Sequence, residues 1–92
     1  MPVNVKIPTP LRSLTGDLDT VEEEATTLQE LVDALELSFP GMRERLLEDT
    51  GDLRRFVNVY VNGEDVRFLD GLRSPLREGD EVSIVPAVAG GC

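Results

Sequence analysis

The chain has 92 residues, 40% of them hydrophobic, with 18 acidic against 9 basic side chains and a formal net charge of −9. A chain this long makes one domain with a single modest core, burying roughly 60–65% of the surface its unfolded form exposes, and a deep catalytic cleft is hard to build at that scale. The acidic balance argues against nucleic acid, which needs basic patches, and against anionic membrane surfaces, and it suits partners that present basic surfaces.

Val3, Val5 and Ile7 alternate with Asn4 and Lys6, which predicts a first strand with one buried face. Pro8, Pro10, Thr15, Gly16 and Asp17 are turn material. Leu18 and Val21 predict a second strand paired back on the first, with the acids Glu22, Glu23 and Glu24 directly after it. Thr26-Thr27-Leu28-Gln29-Glu30 reads as a helix start, Thr27 capping and Glu30 returning a bond to the cap's own N–H. Leu28, Leu31, Val32 and Leu35 then recur at the spacing of one apolar helix face; Phe39 extends that face and Pro40-Gly41 ends it. Met42, Leu46 and Leu47 predict a further turn or two of helix before Asp49-Thr50-Gly51-Asp52.

Phe56 to Val61 is the clearest strand, with Val57, Val59 and Val61 alternating against Phe56, Asn58 and Tyr60. Asn62-Gly63 is a two-residue hairpin signal, because both central positions tolerate positive φ. Val66-Arg67-Phe68 predicts a short return strand, Leu69 to Leu72 a turn, and Leu72 and Leu76 are expected under the sheet. Gly79-Asp80 turns the chain into a final strand, Glu81 to Val85. The class is α+β, a mixed sheet with one main helix packed on one face. The expected core is Val3, Val5, Ile7, Leu28, Leu31, Leu35, Val57, Val59, Val61, Val82 and Ile84. Phe56, Tyr60 and Val85 fall on the opposite face, where apolar residues in a row mark a partner surface unless a loop packs over them. Glu64, Asp65 and Asp80 read as turn residues, and Arg54-Arg55 as a solvated rim.

The predicted domain spans 1–86 and residues 87–92 form an extended, flexible tail. Ala87-Val88-Ala89-Gly90-Gly91 is too small to pack a core, and a Gly-Gly pair lies flat in a groove where any side chain would clash. From Pro86 to Gly91 the chain reaches at most roughly 16–18 Å, enough to carry a carbonyl into another protein's active site. An ordinary frayed terminus is the alternative reading of the same residues. There is no histidine and one cysteine, so the usual general base, an internal disulfide and a Cys/His zinc set are all absent. No metal or bound cofactor is expected. No apolar run approaches membrane-spanning length and no signal-peptide pattern opens the chain, so the expected compartment is the cytoplasm.

Two stretches carry a resemblance. Phe56-Val57-Asn58-Val59-Tyr60-Val61-Asn62-Gly63-Glu64-Asp65-Val66-Arg67-Phe68 is the first. Gly79-Asp80-Glu81-Val82-Ser83-Ile84-Val85-Pro86-Ala87-Val88-Ala89-Gly90-Gly91 is the second. Together with the opening Val3-Asn4-Val5-Lys6-Ile7-Pro8-Thr9 they resemble the ubiquitin-like sulfur-carrier family of MoaD and ThiS, most of all its CysO-type branch of cysteine biosynthesis. The resemblance implies a β-grasp topology, with first and last strands parallel neighbours and the helix in the crossover. It implies a carrier rather than an enzyme. An E1-like enzyme would use ATP to adenylate the carboxylate of Gly91, and a sulfur donor would convert the acyl-adenylate to a thiocarboxylate. A cysteine synthase-like or other acceptor enzyme would take the sulfur. It further implies that the E1-like enzyme docks on the face of Phe56, Tyr60 and Val85, with Ala87, Val88, Ala89 and Gly90 extended in its channel, held by main-chain bonds.

Cys92 departs from the family pattern, since adenylation needs a free carboxylate on Gly91. It reads as an encoded cap removed by a JAMM-type zinc protease, in which a metal-activated water attacks the scissile carbonyl. Two other readings stay open: the cysteine product still joined to its carrier, and a residue added for labelling or ligation. The competing functions are a protein modifier conjugated through Gly91, a molybdopterin or thiamin sulfur carrier, and a plain interaction module on the same fold.

Overall fold

The computed structural model describes residues 2–86. Five strands form one sheet: β1 (Val3–Lys6), β2 (Thr20–Glu23), β3 (Val57–Val61), β4 (Glu64–Asp65) and β5 (Glu81–Pro86). Their order across the sheet is β2-β1-β5-β3-β4. β1 and β5 run parallel through Asn4–Glu81, Val5–Val82 and Lys6–Ser83, and every other pairing is antiparallel. The helix α1 (Leu28–Ser38) and the shorter α2 (Met42–Leu46) lie between β2 and β3 in sequence. The expected β-grasp arrangement is what forms.

The valine alternation decides which face is buried. Val3, Val5, Val21, Val57, Val59, Val61, Val82 and Ile84 all point inward, against Leu28, Leu31, Val32 and Leu35 of α1. Every residue of the expected core is buried. α2 and a 3-10 turn at Thr9–Leu14 close the rest, contributing Met42, Leu46 and Leu11.

Several local expectations are corrected by contacts distant in sequence. The second strand starts at Thr20, so Glu22 and Glu23 belong to it and Leu18 stays outside, half exposed. Its register is set by pairing Val21 with Val5, which sends the acids onto an edge strand beside water. The return strand is only Glu64–Asp65; Val66–Phe68 is a 3-10 turn started by Asp65, whose carboxylate accepts from the Arg67 N–H at 2.8 Å. Val66 is fully buried at the start of that turn. Thr27 caps α1 as expected, accepting from the Glu30 N–H at 3.2 Å. Glu30 reaches one residue further back than expected, accepting from the Thr26 N–H at 2.9 Å and the Thr26 hydroxyl at 2.7 Å. Two donors on Thr26 outweigh the single N–H of the cap.

At the hairpin, Asn62 has φ +51° and Gly63 φ +89°, the left-handed pair the Asn-Gly step predicts. The Asn62 amide then ties this turn to the start of β5: its Oδ1 accepts from the Glu81 N–H and its Nδ2 donates to Asp80 Oδ1. The Arg77 N–H and then Asn62 hold the Asp80 carboxyl below the usual range.

Glu36 links the two helices. Its carboxylate accepts from the main-chain N–H of Arg43 at 2.9 Å and of Gly41 at 3.2 Å, occupying donors at the start of α2 that lack helical partners. These bonds, that from Arg43 first, lower its pKa. A lowered folded-state value gives stability that is present above the unfolded value of about 4.3 and lost as pH falls through the folded one. Glu36→Gln is therefore expected to lower the urea midpoint at pH 7. The gap from the parent chain should close as pH falls below about 4, in denaturant melts run between neutral and acid pH.

Candidate functional site

The site of interest is the end of the sheet where β5 reaches Pro86, the last described residue. β5 pairs with β3 through Val57–Pro86, Asn58–Val85, Val59–Ile84 and Tyr60–Ser83. Residues opposite each other in such a pair share a face. Val85 therefore stands beside Asn58 on the face turned away from α1, with Tyr60 on the diagonal. Val85 is 45% exposed and Tyr60 half-buried. The structure brings these two predicted residues together.

Phe56 is 54% exposed, but it lies in the turn before β3 rather than in the strand. Strand alternation thus does not set its direction. It instead lines a cleft of about 350 Å³ with Glu48, Arg54, Arg55, Val57 and Pro86. The last described residue of the chain and the most exposed of the three predicted surface residues share that cleft. Ala87, Val88, Ala89, Gly90, Gly91 and Cys92 lie outside the described residues, as does the boundary expected between domain and tail.

Arg67 was not singled out by sequence. Its Nη1 donates to Asn58 Oδ1 at 2.7 Å. Its Nη2 faces the carbonyls of Val57 at 2.9 Å and Arg54 at 3.0 Å. β4 pairs only with Tyr60 and Val61, so it is too short to cover the start of β3. The guanidinium fork supplies donors there instead, and so fixes the bend that carries Arg54, Arg55 and Phe56 past Pro86. No sequence signal marks this role, because the arginine and its acceptors lie on separate segments. Phe68, the next residue, is 87% exposed, where a return strand would have given it cross-strand neighbours.

This arrangement has no catalytic character of its own. Among the described residues no His, Cys, Asp and Glu group could hold a metal ion. No helix among them is long and apolar enough to cross a membrane. What the geometry offers is an anchored strand end, an apolar pair on an open sheet face, and a cleft beside Pro86.

The ThiS family model matches residues 5–91. The sulfur carrier protein CysO of Mycobacterium tuberculosis is 48% identical over 93 residues, covering 99% of this chain and all of that protein. Small archaeal modifier protein 3 of Haloferax volcanii is 42% identical over 71 residues, covering 77% of this chain and 75% of that protein. A chain in the crystal structure of the Amycolatopsis orientalis BexX/CysO complex superposes with a TM-score of 0.91. It has 47% identity and covers 97% of this chain and 99% of that one.

Proposed function

The chain belongs to the ThiS family, and from that premise we propose that it carries sulfur as a C-terminal thiocarboxylate on Gly91. The observation that carries the reading is the reach of the likeness. The family match runs through to Gly91, and the identity with a sulfur carrier spans the whole chain, tail included. Members are small carriers or modifiers rather than catalysts, and this chain is not an enzyme.

A carboxylate is a poor acyl donor. In the proposed sequence the Gly91–Cys92 amide is first hydrolysed, one water yielding the Gly91 carboxylate and free cysteine; a JAMM-type zinc protease fits this step. A carboxylate oxygen of Gly91 then attacks the α-phosphorus of ATP on an E1-like enzyme and expels pyrophosphate. A donor delivering sulfur at the oxidation level of hydrosulfide displaces AMP, leaving the thiocarboxylate. A cysteine synthase-like enzyme, or another sulfur acceptor, takes the sulfur. The carrier contributes a main-chain acyl group and a docking surface at Phe56, Tyr60 and Val85. Ala87, Val88, Ala89 and Gly90 lie extended in the partner's channel, and the absence of histidine costs nothing. The cytoplasm, where ATP and reduced sulfur meet, suits this cycle.

The likeness to a small archaeal modifier protein favours one second reading, in which the same Gly91 acyl group is joined to lysines of other proteins. Intact mass of the protein recovered from its own cells separates the two. Loss of Cys92 with one oxygen replaced by sulfur is the expected result. A ladder of conjugates with no thiocarboxylate form would replace the carrier with the modifier.

A further inference from the structure

Arg54 and Arg55 line the cleft beside Pro86 at the bend before β3, and Arg67 braces that bend. Arg67 Nη2 lies 3.0 Å from the carbonyl of Arg54 and 3.4 Å from that of Arg55. Arg54 Nε donates to the carbonyl of Glu44 at 2.7 Å. Among the described residues the ion pairs join Lys6 to Glu81 and Arg43 to Asp33, and none reaches Arg54, Arg55 or Arg67. Glu48 shares the cleft with Arg54 and Arg55 yet lies beyond ion-pair distance. The chain has 18 acidic side chains, so carboxylates are not scarce.

Main-chain carbonyls take up N–H groups of Arg67 and Arg54, and the neighbouring carboxylates of Glu44, Glu48 and Asp49 line the adjoining cleft without closing an ion pair on Arg54. The carbonyls also hold both side chains in place, so little conformational freedom remains to be lost on binding. Next to them stands Phe56, 54% exposed, an aromatic group beside unpaired arginines of the kind that anchors interfaces. Pro86, the last described residue, lines the same cleft.

We propose that Arg54, Arg55 and Phe56 form a docking corner for an acidic segment bordering the channel in which the activating enzyme receives the tail. The inference rests on the reading of Gly91 as an acyl group activated in trans. It adds a charged contact separate from the apolar pair Tyr60 and Val85. Carboxylates of the partner face Arg54 and Arg55, and Phe56 fills the apolar gap between them. Arg67 is a positioning residue that holds the bend. The whole chain's net charge of −9 already counts these arginines, so the rest of the molecule is more negative still and repels an acidic wall, and this corner turns the Pro86 side toward the channel.

The test is ATP–pyrophosphate exchange by the adenylating enzyme of the same organism, with the chain ending at Gly91 as substrate. Arg55→Glu is expected to raise KM for the carrier by at least roughly tenfold at low salt, with kcat unchanged. Salt at about 0.5 M should shrink that difference, because exposed charges are then screened within a few ångströms. Arg73→Glu, which lines a different cleft, makes the same charge change and should leave KM alone. Arg67→Ala should also raise KM at constant kcat, and Arg55→Glu added to it should cost less than it does alone, as for coupled residues. An unchanged KM for Arg55→Glu, with normal exchange by the otherwise unaltered chain ending at Gly91, overturns the docking corner and leaves the carrier reading standing. No exchange with the otherwise unaltered chain ending at Gly91 overturns the carrier reading, and the corner with it.

Discussion

Removing Gly91 and Cys92 will abolish activation and leave the fold intact. The reacting atom in the proposed chemistry is the carbonyl carbon of Gly91, and no side chain substitutes for it. A chain ending at Gly90 still offers a carboxylate, but it falls one residue short, about 3.5 Å of extended chain. A misplacement of only 1 Å is enough to cost on the order of 10²-fold in rate. Pyrophosphate exchange should therefore fall to background. Thermal and urea melts should superpose on those of the parent chain, because among the described residues the core runs from Val3 to Ile84. Full exchange by the shortened chain would mean that Gly91 is not the acyl group that is activated.

Leu35→Ala will produce the largest change in stability. Leu35 is 1% exposed on the inner face of α1, packed against the valines of the sheet. Truncating a buried leucine costs about 2–5 kcal/mol, part from lost transfer free energy and part from the cavity left behind. Domains of this size hold about 5–14 kcal/mol in all, so a single substitution removes a large share. Leu37 sits two residues along the same helix and is 86% exposed. Leu37→Ala should stay within about 0.5 kcal/mol, as surface changes do. Urea unfolding of the two variants side by side checks both figures. Equal losses would mean that α1 does not present its apolar stripe to the sheet as described.

The elements that were legible share one property: their cause lies within a few residues. Alternation of Val57, Val59 and Val61 fixes a buried face because successive strand side chains point opposite ways. Leu28, Leu31, Val32 and Leu35 fall on one side because of the helical repeat. Asn62-Gly63 turns the chain because both residues accept positive φ. The pairing of Val85 with Asn58, which sets Val85 near Tyr60, follows once those strands are neighbours.

What was misjudged depended on contacts between distant segments. Whether the third strand began at Phe56 or Val57 was decided by Arg67, eleven residues beyond Phe56, pinning the carbonyls of Arg54 and Val57. The return strand stopped at Asp65, where the Asp65 carboxylate accepts from the Arg67 N–H and starts a 3-10 turn. The start of the second strand was set by its partner β1, not by its own leucine. Sequence alone thus determined the layer architecture, the hairpin, the buried faces and the tail motif that ends in Gly91, since period and turn chemistry act locally. Only the tertiary structure decided that Phe56, Arg54 and Arg55 stand at the root of that tail, because long-range hydrogen bonds, which no local pattern encodes, hold them there.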